Sequence, residues 1–355
     1  MKPDHPVPLS FWQALPKTEV HLHIEAMASI DTLFALIERN QIFLHGIHSR
    51  DDLAKRFQVQ NLTEFVDLFT NVIQVVFRNR ADFALLLNDA LQYLQRNSVF
   101  YAEIFWAPSR FLQSGLDFRE LLGELESCSQ KAATLGIEIR FLVDVSRSFG
   151  PENAMHNLEL VLQNPSDCII GIGLGGAENG NPARDYQSVF DQARSAGLHV
   201  VAHAGEDEGP WSIEDSLDKL QAERIGHGIA ALQSRPLMER LRKEQIPLEI
   251  CPTSNLLTGR FVTDISRHPV RYFFDYGLNV TLNSDDPLVF GSEISHEYAK
   301  VYTECGFSLP ELLQIQRNGL WSTFMSDQKK EQHQTRCDQE IARLVESHQL
   351  SNQSK

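Results

Sequence analysis

Eight short runs rich in Val, Ile, Leu and Phe, at residues 18–24, 99–105, 138–144, 169–174, 198–203, 224–227, 247–251 and 278–284, alternate with stretches of helical periodicity. That alternation constrains the fold more than any single residue does. A run such as Ile169-Ile170-Gly171-Ile172-Gly173-Leu174 has no polar face, which suits a parallel strand covered on both sides. Residues 118–135, 186–196 and 235–244 repeat apolar side chains at helical spacing, each giving one stripe to bury. Gly136, Gly197 and Gly277 follow helical patterns where a left-handed C′ residue is expected. Strand then helix, repeated eight times, predicts an α/β protein, a (β/α)8 TIM barrel. Residues 30–95 are too long for a βα loop and hold about three helical segments, a helical insertion after the first strand. The polar stretch 307–345 predicts extra C-terminal helices outside the barrel. No biased linker or fixed-period repeat divides residues 1–355, which read as a single domain.

In this parse the residues able to bind a metal or move a proton end their strands. His21 and His23 close the first, His203 the fifth and His227 the sixth, while Asp285 and Asp286 follow the eighth. The βα loops of such a barrel converge on that face, where its chemistry is carried. In His21-Leu22-His23 the i and i+2 side chains point the same way and can grip one ion. Three imidazoles and a carboxylate suit one Zn²⁺ per chain. Bound by His21, His23, His203 and Asp285, it would lower the pKa of a water towards ~7. Asp285 can accept a hydrogen bond from that water and His227 can hold it in line for attack. Glu206, three residues beyond His203, can approach as a proton donor without being a ligand. Adjacent side chains diverge, so Asp286 is expected to bond substrate rather than share the metal of Asp285. Gly175-Gly176 ends the fourth strand, where a missing side chain would let substrate meet the Gly176 backbone N–H.

Composition narrows the partners. A net charge of −15 repels nucleic acid and anionic membranes, leaving a small-molecule substrate. The first 17 residues lack an apolar signal region, and no run approaches the ~18 apolar residues of a spanning helix. Five scattered cysteines without C-x-x-C spacing predict reduced thiols and a cytoplasmic location. Cys251 has no second thiol near it in sequence and reads as a buried structural residue.

The segments Leu15-Pro16-Lys17-Thr18-Glu19-Val20-His21-Leu22-His23, His203-Ala204-Gly205-Glu206, Glu223-Arg224-Ile225-Gly226-His227-Gly228, Glu249-Ile250-Cys251-Pro252-Thr253-Ser254-Asn255 and Asn283-Ser284-Asp285-Asp286-Pro287 together resemble the adenosine deaminase family of metal-dependent amidohydrolase barrels. The resemblance implies a hydrolase of purine metabolism with one zinc on His21, His23, His203 and Asp285. It implies Glu206 as proton donor to purine N1 and His227 as the residue orienting the nucleophile that attacks C6. Asp286 would accept from N7, and the backbone of Gly176 would meet N3. The 6-amino group would leave as ammonia.

Substrate choice turns on departures from that pattern. After His23 the family's nucleoside enzymes commonly have Leu-Asp-Gly, whereas this chain has Ile24-Glu25-Ala26-Met27. The matching acid helps hold a ribose 5′-hydroxyl in adenosine-specific relatives, and enzymes acting on free adenine resemble this chain in having Glu. The stretch Gly175-Gly176-Ala177-Glu178-Asn179-Gly180-Asn181-Pro182 looks like the branch acting on 5′-enlarged nucleosides such as 6-aminodeoxyfutalosine. On balance an adenine nucleoside is expected, with the free base as the alternative. A cytidine-type deaminase is excluded, since His-x-Glu followed by Pro-Cys-x-x-Cys does not occur. A two-metal barrel would need a bridging Lys where this chain has Leu174-Gly175-Gly176. A catalytically inactive regulator is disfavoured by the intact ligand set.

Overall fold

The computed structural model describes residues 7–353 apart from 60–61 and 259. Eight parallel strands run in the order β1 (Lys17–Glu19), β2 (Val99–Trp106), β3 (Glu138–Asp144), β4 (Ile169–Leu174), β5 (His199–Ala204), β6 (Arg224–His227), β7 (Leu248–Ile250) and β8 (Val280–Leu282). Each pairs with the next, and a single bridge between Leu22 and Asp285 brings the chain beyond β1 against the chain beyond β8. This is the (β/α)8 barrel that the alternation predicts.

The first strand is shorter than its apolar run. Asn283 Oδ1 accepts the N–H groups of Val20 and His21 at 3.0 and 3.2 Å, so a side chain replaces the ladder there. The barrel interior is filled by Phe105, Leu142 and Val201. Gly173 makes room for the first of them, since a Cβ there would sit 2.5 Å from the Phe105 ring. A second, much larger apolar layer lies between strands and helices and extends through the insertion to the C-terminal helices. Helices at Phe118–Thr134, Gln187–Ser195 and Arg235–Glu244 match the periodic stretches. Gly136, Gly197 and Gly277 have φ of +75°, +82° and +84°.

Among the described residues the insertion holds four α-helices where about three were expected: Ile30–Arg39, Arg50–Arg56, Leu62–Leu68 and Arg80–Arg96. A π-helical turn at Phe69–Ile73 and a 3-10 turn at Gln74–Val76 join the last two. The tail forms helices Leu309–Trp321 and Asp327–Gln353, the first packed on β1 and β8. Their connection reaches further in than expected: Phe324 stacks on His199, with ring centroids 3.8 Å apart, and lies 3.9 Å beneath the Arg224 guanidinium. All five cysteines are free and buried. Among the described residues no helix is long and apolar enough to cross a membrane.

Candidate active site

The strand ends bring six candidate ligands together in two overlapping groups. Ligand-capable atoms of His21, His203, His227 and Asp285 lie within 4.8 Å of one another, and those of His23, Asp285 and Asp286 form a second such group. Nε2 of His21 and of His23 are 3.3 and 3.4 Å from Asp285 Oδ1, and Nε2 of His23 is 3.1 Å from Nε2 of His203. The rings rest on Phe105, which His23 stacks upon with centroids 5.1 Å apart. Two strand exits are bent sharply: His227 and Asp285 have φ of +60° and +65°, a region that non-glycine residues rarely adopt. Gly226, not His227, is in register with His203, so the bend at His227 brings inward a side chain that regular alternation would turn out.

The donor set fits a cation. Burial pushes His23 down to about 3, and burial with the neighbouring rings holds His203 well below the usual imidazole range. Both therefore offer lone pairs, which a metal requires. Burial alone would lower His21 and raise Asp285. Instead, the carboxylates of Asp285 and Glu249 raise His21 to about 10, while the surrounding rings, His21 foremost, hold Asp285 well below the carboxylate range. Nε2 of His21 is buried without a hydrogen-bond partner. His21 Nδ1 is fixed from behind by Glu249 Oε2 at 2.7 Å, which aims Nε2 into the cluster.

Glu206 stands at the rim. Its Oε2 is 3.4 Å from His227 Nε2, and its Oε1 accepts the Thr258 hydroxyl at 2.7 Å. Burial and the charge of Asp285 push it up to about 8, so its carboxyl keeps a proton at neutral pH. His227 is lowered to about 4, mainly by burial. Its Nδ1 meets Asn255 Nδ2 at 3.0 Å, and Asn255 Oδ1 meets His268 Nε2 at 3.3 Å. Burial and the adjacent Asp285 hold Asp286 well above the carboxylate range, and its Oδ1 is buried without a partner. Gly176 and Asp286 line one cavity with His23, His203, Glu206, His227 and Asp285. Phe65, Phe69 and Phe290 form its apolar wall, with Phe65 stacked on Phe290 at 5.4 Å.

One expected contact is misplaced. Glu25 is fully buried in the 3-10 turn Ile24–Met27 and is not among the lining residues. Its Oε1 accepts the Ala107 N–H at 2.9 Å and Gln74 Nε2 at 3.3 Å, and those two residues face the cavity instead. The residues that orient the cluster were not assigned roles from sequence: Glu249, Asn255, Thr258, Asn283 and His268. A signal existed for Glu249, a carboxylate flanked by Leu248 and Ile250 in an apolar strand, which demands a buried partner.

Comparison with known proteins bears on this site. A family model described as adenosine deaminase matches residues 16–340. A protein of Zymomonas mobilis named adenine deaminase is 34% identical over 324 residues, covering 90% of this chain and 94% of its own. Among solved structures, an adenine deaminase from Arthrobacter aurescens superposes with TM-score 0.85 at 30% identity, covering 93% of this chain and 99% of that one. An amidohydrolase from Burkholderia ambifaria with bound zinc reaches TM-score 0.88 at 25% identity, covering 97% and 96%.

Proposed function

Since the chain belongs to the adenosine deaminase family, we propose that it hydrolyses the 6-amino group of adenine to ammonia, acting on the free base in preference to a nucleoside. One observation carries the chemistry: a carboxyl that keeps its proton, Glu206, stands 3.4 Å from His227 beside a buried His/Asp cluster. A zinc ion held by His21, His23, His203 and Asp285 would supply, when bound, the Lewis acid that activates water at neutral pH. Glu206 gives its proton to ring N1, making C6 electron-poor. His227, braced by Asn255, turns Nε2 towards the attacking water. Gly176 offers its N–H to N3. Asp286, whose carboxyl burial and the adjacent Asp285 hold above the usual range, meets N7. Phe65, Phe69 and Phe290 give the flat base an apolar wall.

Two findings favour the free base over the expected nucleoside. Relatives at 32–36% identity are named adenine deaminase. Glu25, the residue that a ribose 5′-hydroxyl would need, spends Oε1 on Ala107 and Gln74 behind the cavity wall. The test is ammonia release from adenine, adenosine, deoxyadenosine and 6-aminodeoxyfutalosine by protein of known metal content. Adenine is expected to give the highest kcat/KM, with about one zinc per chain. Preference for a nucleoside would overturn the substrate and keep the chemistry. No release from any of the four by zinc-loaded protein would favour an inactive regulator.

A further inference from the structure

The loop that carries Glu206 is held by a second carboxylate with no part in the chemistry above. Glu178, on the loop after β4, is buried. It accepts the N–H groups of Gly205, Glu206 and Asp207 at 2.9, 2.8 and 3.1 Å, and the Ser212 hydroxyl as well. Consecutive amides can converge on one anion where right-handed and left-handed backbone conformations alternate. Gly205 is left-handed, with φ +67°, and a Cβ there would sit 2.7 Å from Ile213. Burial alone would raise the pKa of Glu178, yet Arg147 and these donors hold it below the ordinary value. Arg147, also buried, secures the upstream end of the same segment, donating to the carbonyls of His203 at 2.6 Å and Asn181 at 2.8 Å. Backbone from 203 to 207 is thus pinned at both ends by oppositely charged buried side chains.

Glu206 has three rotatable bonds, and among the described residues Thr258 and His227 are those that meet its carboxyl directly. Where that carboxyl points therefore depends on where its Cα is held. We infer that Glu178 is a positioning residue for Glu206, acting through the backbone of residues 205–207 to aim the proton donor at the substrate ring. The inference rests on the reading of Glu206 as that donor.

A double-mutant cycle on the zinc-loaded full chain tests it, using E178Q, E206Q and the pair. An amide at 178 turns an N–H towards at least one of the three backbone donors, so the clamp is lost while its volume stays. Expected for E178Q alone is a fall in kcat of about 10–100-fold, the scale of an ångström of misplacement, with KM changed by less than about threefold and zinc content unchanged. In the E206Q background the same change should cost less than about twofold, because a residue acting through Glu206 has nothing left to aim. An equal loss in both backgrounds, or a kcat untouched by E178Q, overturns the inference. Near-normal turnover in E206Q alone overturns the donor reading instead. Should E178Q fail to fold, S212A removes one donor to Glu178 and leaves the charge. It should lower kcat about threefold in the parent and not at all beside E206Q; any other pattern counts against the clamp.

Discussion

Arg224 and His21 are both buried within the barrel and both touch Glu249, yet their surroundings differ in kind. Arg224, at the start of β6, lies 2.6 Å from Glu103 and 2.6 Å from Glu249, donates to the Ser322 carbonyl, and is closed below by Phe324. Two carboxylates outweigh its burial and keep it charged. At the other end, His23, His203 and His227, which burial has neutralised, crowd with His21 around one ionised carboxylate, and buried atoms of His21 and Asp286 lack partners. Burial is equal in the two regions. The floor pairs its opposite charges internally, which is the condition for a buried ion pair to persist, although Arg224 Nη2 and Glu103 Oε2 are left without hydrogen-bond partners; the mouth leaves lone pairs open for something from outside.

Variants at the two ends should fail in different currencies. Glu206→Gln should lower turnover by about 10²–10⁴-fold with about one zinc retained per chain, measured by steady-state kinetics and metal analysis; near-normal rates would break the division between mouth and floor. Arg224→Met should instead cost about 3–5 kcal/mol of stability in urea unfolding, because Glu103 is left as a buried carboxylate without its cation and Glu249 keeps only His21. A small cost would mean that the floor is not closed as described. Asn255→Ala should reduce kcat about tenfold and cost about 1–3 kcal/mol, less than Arg224→Met, since it leaves His227 Nδ1 and His268 Nε2 buried without their partner. The mildest effect is on pH. The Glu206 carboxyl is pushed up to about 8, so the protonated donor is present below that value and lost above it. Turnover of the parent should decline on the alkaline side through pH 8, by about tenfold per unit, and the residual rate of Glu206→Gln should lack this limb.

Much of the mouth was legible because its signals are local. His21 and His23 are two residues apart on an extended segment, and each remaining candidate ends a run of apolar residues. Strand ends of a barrel converge by topology, so position along the run was enough to predict the meeting. The floor and the supports were not legible in the same way. Arg224 pairs with Glu103 over 121 residues of sequence, Asn283 with His21 over 262, and Thr258 with Glu206 over 52. No spacing rule links such partners. Glu25 misled for a related reason: its neighbourhood follows His23, but Gln74 and Ala107, which take up its carboxyl, come from the insertion and the end of β2.

The left-handed kinks at His227 and Asp285 bear on any attempt to transplant this constellation. Each such residue outside glycine costs roughly 1–3 kcal/mol and persists where its surroundings enforce it, and at His227 the kink reverses the ordinary alternation, because Gly226 holds the register position opposite His203. Copying the residue identities alone onto a regular host barrel would leave the His227 imidazole facing its outer helices. A faithful graft has to import the bent strand exits first and the functional groups second.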